Sequence, residues 1–373
     1  MGGLTVENPV PLSGALASPA LLNGDTLNLL GWTYLGDYNY IGPQITITRY
    51  LAQRAIIDGS IAIGSDSTEL KELEITCSSF TDREQESPSP SSRINSIVAL
   101  TDLIIHDCNQ GVYIPDEAGG GIIDGCIIFH NGYIGLDRGH GHGIYAQNAG
   151  DNPLVIKNCI LFDGFGYNLH AYGEGVQKLD NIQFIDNISF KAMSLCAPTF
   201  DARPNLLLGG YGETNIVNKP VWHGNMTYGG AKNALGYQSA AIVNGLVEDN
   251  YLPEGITISD PDNVTLSGNV LAPEETNRVF VIPVRGRAHV AIYNWEGLDS
   301  VAVDVSGVFD VAATVTVTNV QDLFVDIVEL VVSEAGTITI DMRAISHTVA
   351  TPQGWTTPAT TFPTFGCFVV EAA

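Results

Sequence analysis

The sequence predicts an all-β chain: a long solenoid of short stacked coils followed by a small antiparallel β-sandwich. Three observations carry that prediction. The 373 residues include 40 glycines, and repeated Asn–Gly and Asp–Gly pairs mark frequent tight turns. Long runs of helical periodicity are missing. A turn residue followed by a small or apolar one recurs as Gly59–Ser60, Asp107–Cys108, Gly125–Cys126, Asn158–Cys159, Asn187–Ile188, Asn225–Met226, Asn250–Tyr251 and Asn269–Val270. Those spacings fit one coil of roughly 18–25 residues, lengthened in places by loops. The length suits one large domain and a small one, or two of ordinary size, and apolar residues, 45% of the chain, allow a sizeable core.

Taken in order, residues 1–30 are expected to form a lead-in and cap, with a turn at Leu21–Asp25 before the strand-like TLNLLGWTYLG. Pro43–Ile63 reads as an alternating strand, a connector and a second strand after Asp58–Gly59. Gly24–Asp25–Thr26, Trp32–Thr33–Tyr34 and Ile45–Gly59 resemble, piece by piece, the opening of right-handed parallel β-helix proteins of the pectate-lyase-like superfamily. The resemblance implies a right-handed parallel β-helix. In the recurring turns, Asn tolerates the left-handed conformation and can bond to the Asn of the next coil, building an internal ladder. Cys108, Cys126 and Cys159 are expected to stack about 4.8 Å apart as small hydrophobes inside the solenoid.

Ser79–Ser92, rich in Pro and Ser, is expected to be a surface loop. After about Leu271 the pattern changes. Asn277–Val284, Ala288–Trp295, Ser300–Val305, Ala313–Asn319, Asp326–Val332 and Gly336–Met342 alternate as strands with short turns, which predicts a sandwich. GRAHVAIYNWEGLDSVAVDVS resembles the sandwich that follows the β-helix in bacterial members of the same superfamily. The expected domains are residues 1–273, a capped β-helix, and 274–373, a sandwich whose role would be to cap or pack on the solenoid.

Composition narrows the function. A net charge of −25, from 41 acidic and 16 basic residues, argues against a nucleic-acid partner, since Lys/Arg clusters are missing. The same charge suits solubility in a salty medium, or bound calcium, and fits poorly with a polyanionic substrate. The six Cys form no CxxC pair, which removes the usual zinc and redox signatures. No run approaches the roughly 18 apolar residues of a spanning helix. The first residues, MGGLTVENPV, lack the charged and apolar regions of a signal peptide, so the expected location, secreted, extracellular or periplasmic, follows from the resemblance.

Candidate chemistry gathers in GHGHGIYAQN, from Gly139 to Asn148, and YNLHAYG, from Tyr167 to Gly173. Aligning GVYIP (111–115), HGIYAQN (142–148), YNLHAYG (167–173), PNLLLGG (204–210) and NALGYQS (233–239) as strands of one parallel sheet separates two faces. The inward set, Val112, Ile114, Ile144, Ala146, Leu169, Ala171, Leu206 and Leu208, is apolar throughout. The outward set is Tyr113, His142, Tyr145, Gln147, Asn168, His170, Tyr172 and Asn205, with Tyr145 beside His170 and Gln147 beside Tyr172. Lys, Glu, Ser and Thr would serve equally on a wet face. His, Tyr, Gln and Asn add proton transfer, hydrogen bonding and sugar stacking.

Two mechanisms fit a polysaccharide substrate. The first is β-elimination from, or epimerisation of, a uronic-acid residue. Gln147, Asn148 and Asn168 would bind the carboxylate, with Asn205 and Tyr113 on the same face. His142 or His170 would be the base, Tyr145 or Tyr172 the acid, and Arg138 and Arg203 would supply positive charge. Similar sets serve metal-independent polysaccharide lyases, so no cofactor is required, although calcium held by Asp and backbone oxygens stays compatible. Asp137 and His140 match the Asp-Pro-His signature of β-helix mannuronan epimerases without its Pro. The second mechanism is hydrolysis by two carboxylates drawn from Asp137, Asp163 and Glu174. The Gly-His-Gly at 139–141 or 141–143 resembles a motif of β-helix polygalacturonases, whose other signatures are missing here. His140 and His142, with Asp137, would also suit a metal. A rod that binds glycans without cleaving them is a further alternative. Oligomeric state is not legible.

Overall fold

The computed structural model describes residues 11–64, 67–85, 98–211 and 215–373. The first ten residues and 86–97, the latter within and beyond the expected Pro/Ser loop, lie outside them. The chain divides into two compact units, Met1–Val270 and Leu271–Ala373.

The first unit is a right-handed parallel β-helix. Its strands stack in chain order into a ten-stranded sheet from Thr26–Leu29 to Val264–Ser267, an eight-stranded sheet from Thr33–Leu35 to Met226–Tyr228, and a six-stranded sheet from Val112–Ile114 to Ile256–Ile258. The register places like on like: Ile57, Ile75, Ile105, Ile128 and Leu161 follow one another across the eight-stranded sheet, and all are buried. A strand of three or four residues can bury only one or two side chains. Stability therefore comes from such columns rather than from any single coil.

The Asn ladder forms, with a correction to its geometry. Between the ten- and eight-stranded sheets the left-handed residues include Glu72, Asp102, Gly125, Asn158, Asp186, Gly224, Asp249 and Gly268. Asn187, Asn225, Asn250 and Asn269 each come one residue later and turn inward. Their side-chain amides donate in sequence, Asn187 to Asn225 at 3.0 Å, Asn225 to Asn250 at 2.9 Å and Asn250 to Asn269 at 2.9 Å. Cys126 and Cys159 occupy the same inner column, and the Cys159 N–H donates to Asn187 Oδ1 at 3.0 Å. Cys108 belongs to a different corner, where Asp107 is left-handed and the Cys108 N–H donates to Asn131 Oδ1. It does not stack with the other two. All six cysteines are buried free thiols.

The second unit is a sandwich. A five-stranded antiparallel sheet runs Arg278–Val284, Arg287–Tyr293, Phe365–Ala372, Thr314–Asn319, Ile327–Val331, and a two-stranded sheet pairs Ser300–Asp304 with Thr337–Asp341. Val290, Ile292, Val303, Val317, Ile340 and Phe368 share its core. The central strand, Phe365–Ala372, is the one the sequence pattern missed. Among the described residues no helix is long and apolar enough to cross a membrane.

Candidate functional site

The five segments aligned from the sequence are neighbouring strands of the six-stranded sheet. Tyr113 pairs with Tyr145, Tyr145 with His170 and His170 with Leu207, while the inward residues are at most 4% exposed. The outer column is thus Tyr113, Tyr145, His170, closed off by a buried Leu207. Ring centroids lie 5.7 Å apart from Tyr113 to Tyr145 and 5.2 Å from Tyr145 to His170, and Tyr172 stacks on His170 at 5.2 Å. Tyr237 meets the edge of Tyr172 at 6.2 Å. The rings form a row running across the strands, along the solenoid axis.

His142 sits at the corner before Ile144–Ala146 and turns its ring onto the same face. Its Nδ1 accepts the Tyr167 backbone N–H at 3.1 Å, and its Nε2 lies 3.1 Å from His170 Nδ1. An amide can only donate, so the His142 proton must sit on Nε2, from which it is donated to His170. His170 then carries its own proton on Nε2. Burial, with help from the Arg138 charge, pulls His142 down to about 3 and His170 well below its ordinary value. Both rings are neutral. In this tautomer chain neither offers a lone pair to a substrate carbon, so the expectation that one of them is the base gives way to a pair of oriented donors. Burial pushes the Tyr145 phenol up to about 12, which keeps it protonated.

A hairpin, Tyr133–Ile134 against Gly139–His140, rises beside this face. His140 Nε2 bonds to Asp137 Oδ1 at 2.8 Å, and its ring stacks on Tyr133 at 5.3 Å. The carboxylate can only accept, so His140 donates to it from Nε2. That hydrogen bond also holds the Asp137 carboxyl below its ordinary value. Tyr113, Tyr133, His140, His142 and Tyr145, with Asn109 and Gln110, line a cleft of about 390 Å³. Arg138 is exposed beside it, 3.9 Å from Asp137. Its charge acts on His142, His170, Tyr167 and Tyr172. Arg203 acts on Tyr167, whose phenol burial nonetheless holds above its ordinary value.

Four residues assigned to substrate binding are committed elsewhere. Gln147 is 1% exposed, and its amide donates to the Tyr172 carbonyl at 3.0 Å. Asn148, fully buried, donates to the carbonyls of Asn152 and Asp180. Asn168 donates to the Phe190 carbonyl and to Asn205 Oδ1, and Asn205 accepts the Ala192 N–H. All four flank their strands at coil corners, where side chains turn into the interior and strand alternation no longer applies. Asp163 is also withdrawn, fully buried against Ser194 and Lys191. Glu174 is exposed at the end of Leu169–Glu174. Tyr133, Tyr167 and Tyr237 were not singled out in the sequence. A Tyr two residues outside a strand, as at Tyr167 and Tyr237, or on a hairpin, as at Tyr133, carries no periodic signal. Among the described residues no group of three or more His, Cys, Asp or Glu side chains is placed to hold a metal ion, so Asp137, His140 and His142 do not form one.

No protein-family model and no curated protein matches the chain. Among solved structures, the tailspike protein gp49 of Acinetobacter baumannii bacteriophage Fri1, described as a capsular polysaccharide depolymerase, aligns with 93% of this chain and 79% of its own, at 9% identity and a TM-score of 0.40. The Dettilon tailspike protein gp208 aligns with 90% of this chain and 68% of its own, at 12% identity and a TM-score of 0.27. At that similarity neither lends its activity to this chain.

Proposed function

We propose that this chain acts on a polysaccharide, by β-elimination at a uronic-acid residue held on the outer face of the six-stranded sheet. The observation that carries the reading is the cleft in which a carboxylate-oriented imidazole, His140, lies with a protonated phenol, Tyr145. His140 Nδ1 takes the proton from the carbon beside the sugar carboxylate. The electron pair forms the new C=C bond as the C–O bond to the leaving sugar breaks, and Tyr145 gives its proton to the leaving oxygen. Arg138 and the His170 Nε2–H neutralise the carboxylate as charge builds on it. Tyr113, Tyr145 and Tyr172 line the face along which the polymer lies. A two-carboxylate hydrolase fits less well, because Asp163 is buried and Asp137 is engaged by His140. Such a polymer is met outside the cell, which accords with the expected location.

The test is a panel of uronate-containing and neutral polysaccharides, followed at once for ultraviolet absorbance of an unsaturated sugar and for new reducing ends. Elimination predicts both signals together on a uronate polymer, lost in His140→Gln and in Tyr145→Phe. Reducing ends without absorbance would replace elimination with hydrolysis. Binding without either signal would leave a glycan-binding rod.

A further inference from the structure

The Tyr133–His140 hairpin packs its Tyr133 ring against the solenoid core. Its stem is built from glycine: a Cβ would lie 2.2 Å from the His140 oxygen at Gly132, 1.8 Å from the Phe165 oxygen at Gly139, and 2.0 Å from the Asn109 oxygen at Gly141. Backbone packs directly on backbone at these glycines. A further contact comes from outside the hairpin.

Arg83 supplies that contact. It follows the strand Glu74–Thr76 in a polar stretch, yet it is only 1% exposed. Its Nη1 donates to the Gly132 carbonyl at 2.9 Å, and its own carbonyl accepts the Ile134 N–H at 2.7 Å, so it holds the hairpin on both sides of Tyr133. Its Nη2 donates to Asp107 Oδ1 at 2.8 Å. Phe80 and Phe165 cover the guanidinium, with ring centroids 4.4 and 5.4 Å from Cζ. Asp107 is itself bonded to His106 at 2.9 Å, and His106 to Glu74 on the preceding coil at 3.2 Å. The hairpin is thereby tied through one guanidinium to two coils of the solenoid. A bidentate, planar donor suits this task in a way that a lysine ammonium does not.

We propose that Arg83 is a positioning residue: by gripping Gly132 and Ile134 it sets the angle at which the hairpin meets the sheet, and so the placement of His140 relative to Tyr145. The proposal rests on the reading of His140 as the base. Displacement of a catalytic group by about 1 Å can cost about 100-fold in rate.

The experiment compares Arg83→Met, which keeps an apolar stem between the two Phe rings, and Arg83→Lys, which keeps the charge for Asp107, with the unaltered chain. Hydrogen–deuterium exchange is followed across all coils, alongside kcat and KM on a polymer that the unaltered chain cleaves. Arg83→Met is expected to speed exchange about tenfold or more in 132–141 alone, and to lower kcat about 100-fold with KM nearly unchanged. Arg83→Lys should fall between. Unchanged exchange in the hairpin would overturn the proposal. So would a rise spread evenly over the solenoid, which marks a general strut, or a loosened hairpin with kcat intact. If the unaltered chain cleaves nothing, the elimination reading falls, and the exchange pattern alone still upholds or overturns the anchoring.

Discussion

Acidification is expected to weaken the fold at the His142–His170 pair before most carboxylates are protonated. His142 accepts a backbone N–H on Nδ1 and donates from Nε2, so an added proton has to break the Tyr167 contact at 3.1 Å. Burial accordingly pulls this imidazole down to about 3, whereas in the unfolded chain it titrates near 6.5. The unfolded state therefore takes up the proton first. The stabilising contribution of neutral His142 is complete above about pH 6.5, and it is lost as pH falls toward about 3. At about pH 5 the folded ring is still neutral while its unfolded counterpart is mostly charged, a loss of about 2 kcal/mol. Urea unfolding from about pH 7 to 4 measures it, with His142→Gln as reference, since an amide can accept and donate in the same place without titrating. The unaltered chain should lose about 1.4 kcal/mol more per pH unit than the variant below about pH 6. Equal slopes, or a His142 ring resonance titrating near 6.5, would refute the buried-neutral assignment.

The opposite sign is expected at His106. Burial by itself would lower this imidazole, yet its hydrogen bonds to Asp107 and Glu74 carry it up to about 9. Its contribution is complete below about pH 6.5 and lost as pH rises through about 9, so the unaltered chain should lose roughly 3 kcal/mol more than His106→Gln over that interval. In the ladder, fully buried Asn225 donates to the Phe184 carbonyl and Asn250 and accepts from Asn187. Asn225→Ala strands those partners and should cost about 3 kcal/mol or more in chemical unfolding, leaving glycan binding by the correctly folded fraction unaltered.

Much of the architecture was legible because a solenoid repeats its signal. Val112, Ile144, Leu169 and Leu206 each occupy the same inward position, so the sheet, its register and the Tyr145–His170 adjacency could be read from alternation. Alternation fails at corners. Asn168 and Asn205 precede the first inward Leu of their strands and were read as outward, whereas a corner residue follows the turn and points inside. The reading of His142 or His170 as the base failed for a different reason: their proton positions depend on the Tyr167 amide, which only the folded contact supplies. Arg83 was invisible in a polar stretch, since its burial depends on partners 24 and 49 residues away. Phe365–Ala372 was passed over because it is buried along most of its length and lacks the alternation of its neighbours.

The most direct measurement is a crystal structure of the His140→Gln chain soaked with an oligosaccharide of the polymer that it binds. The account predicts sugar rings along the row formed by Tyr113, Tyr145 and Tyr172, with a uronate carboxylate near Arg138 and the His170 Nε2–H. Sugar bound on another face, with that row empty, would contradict it.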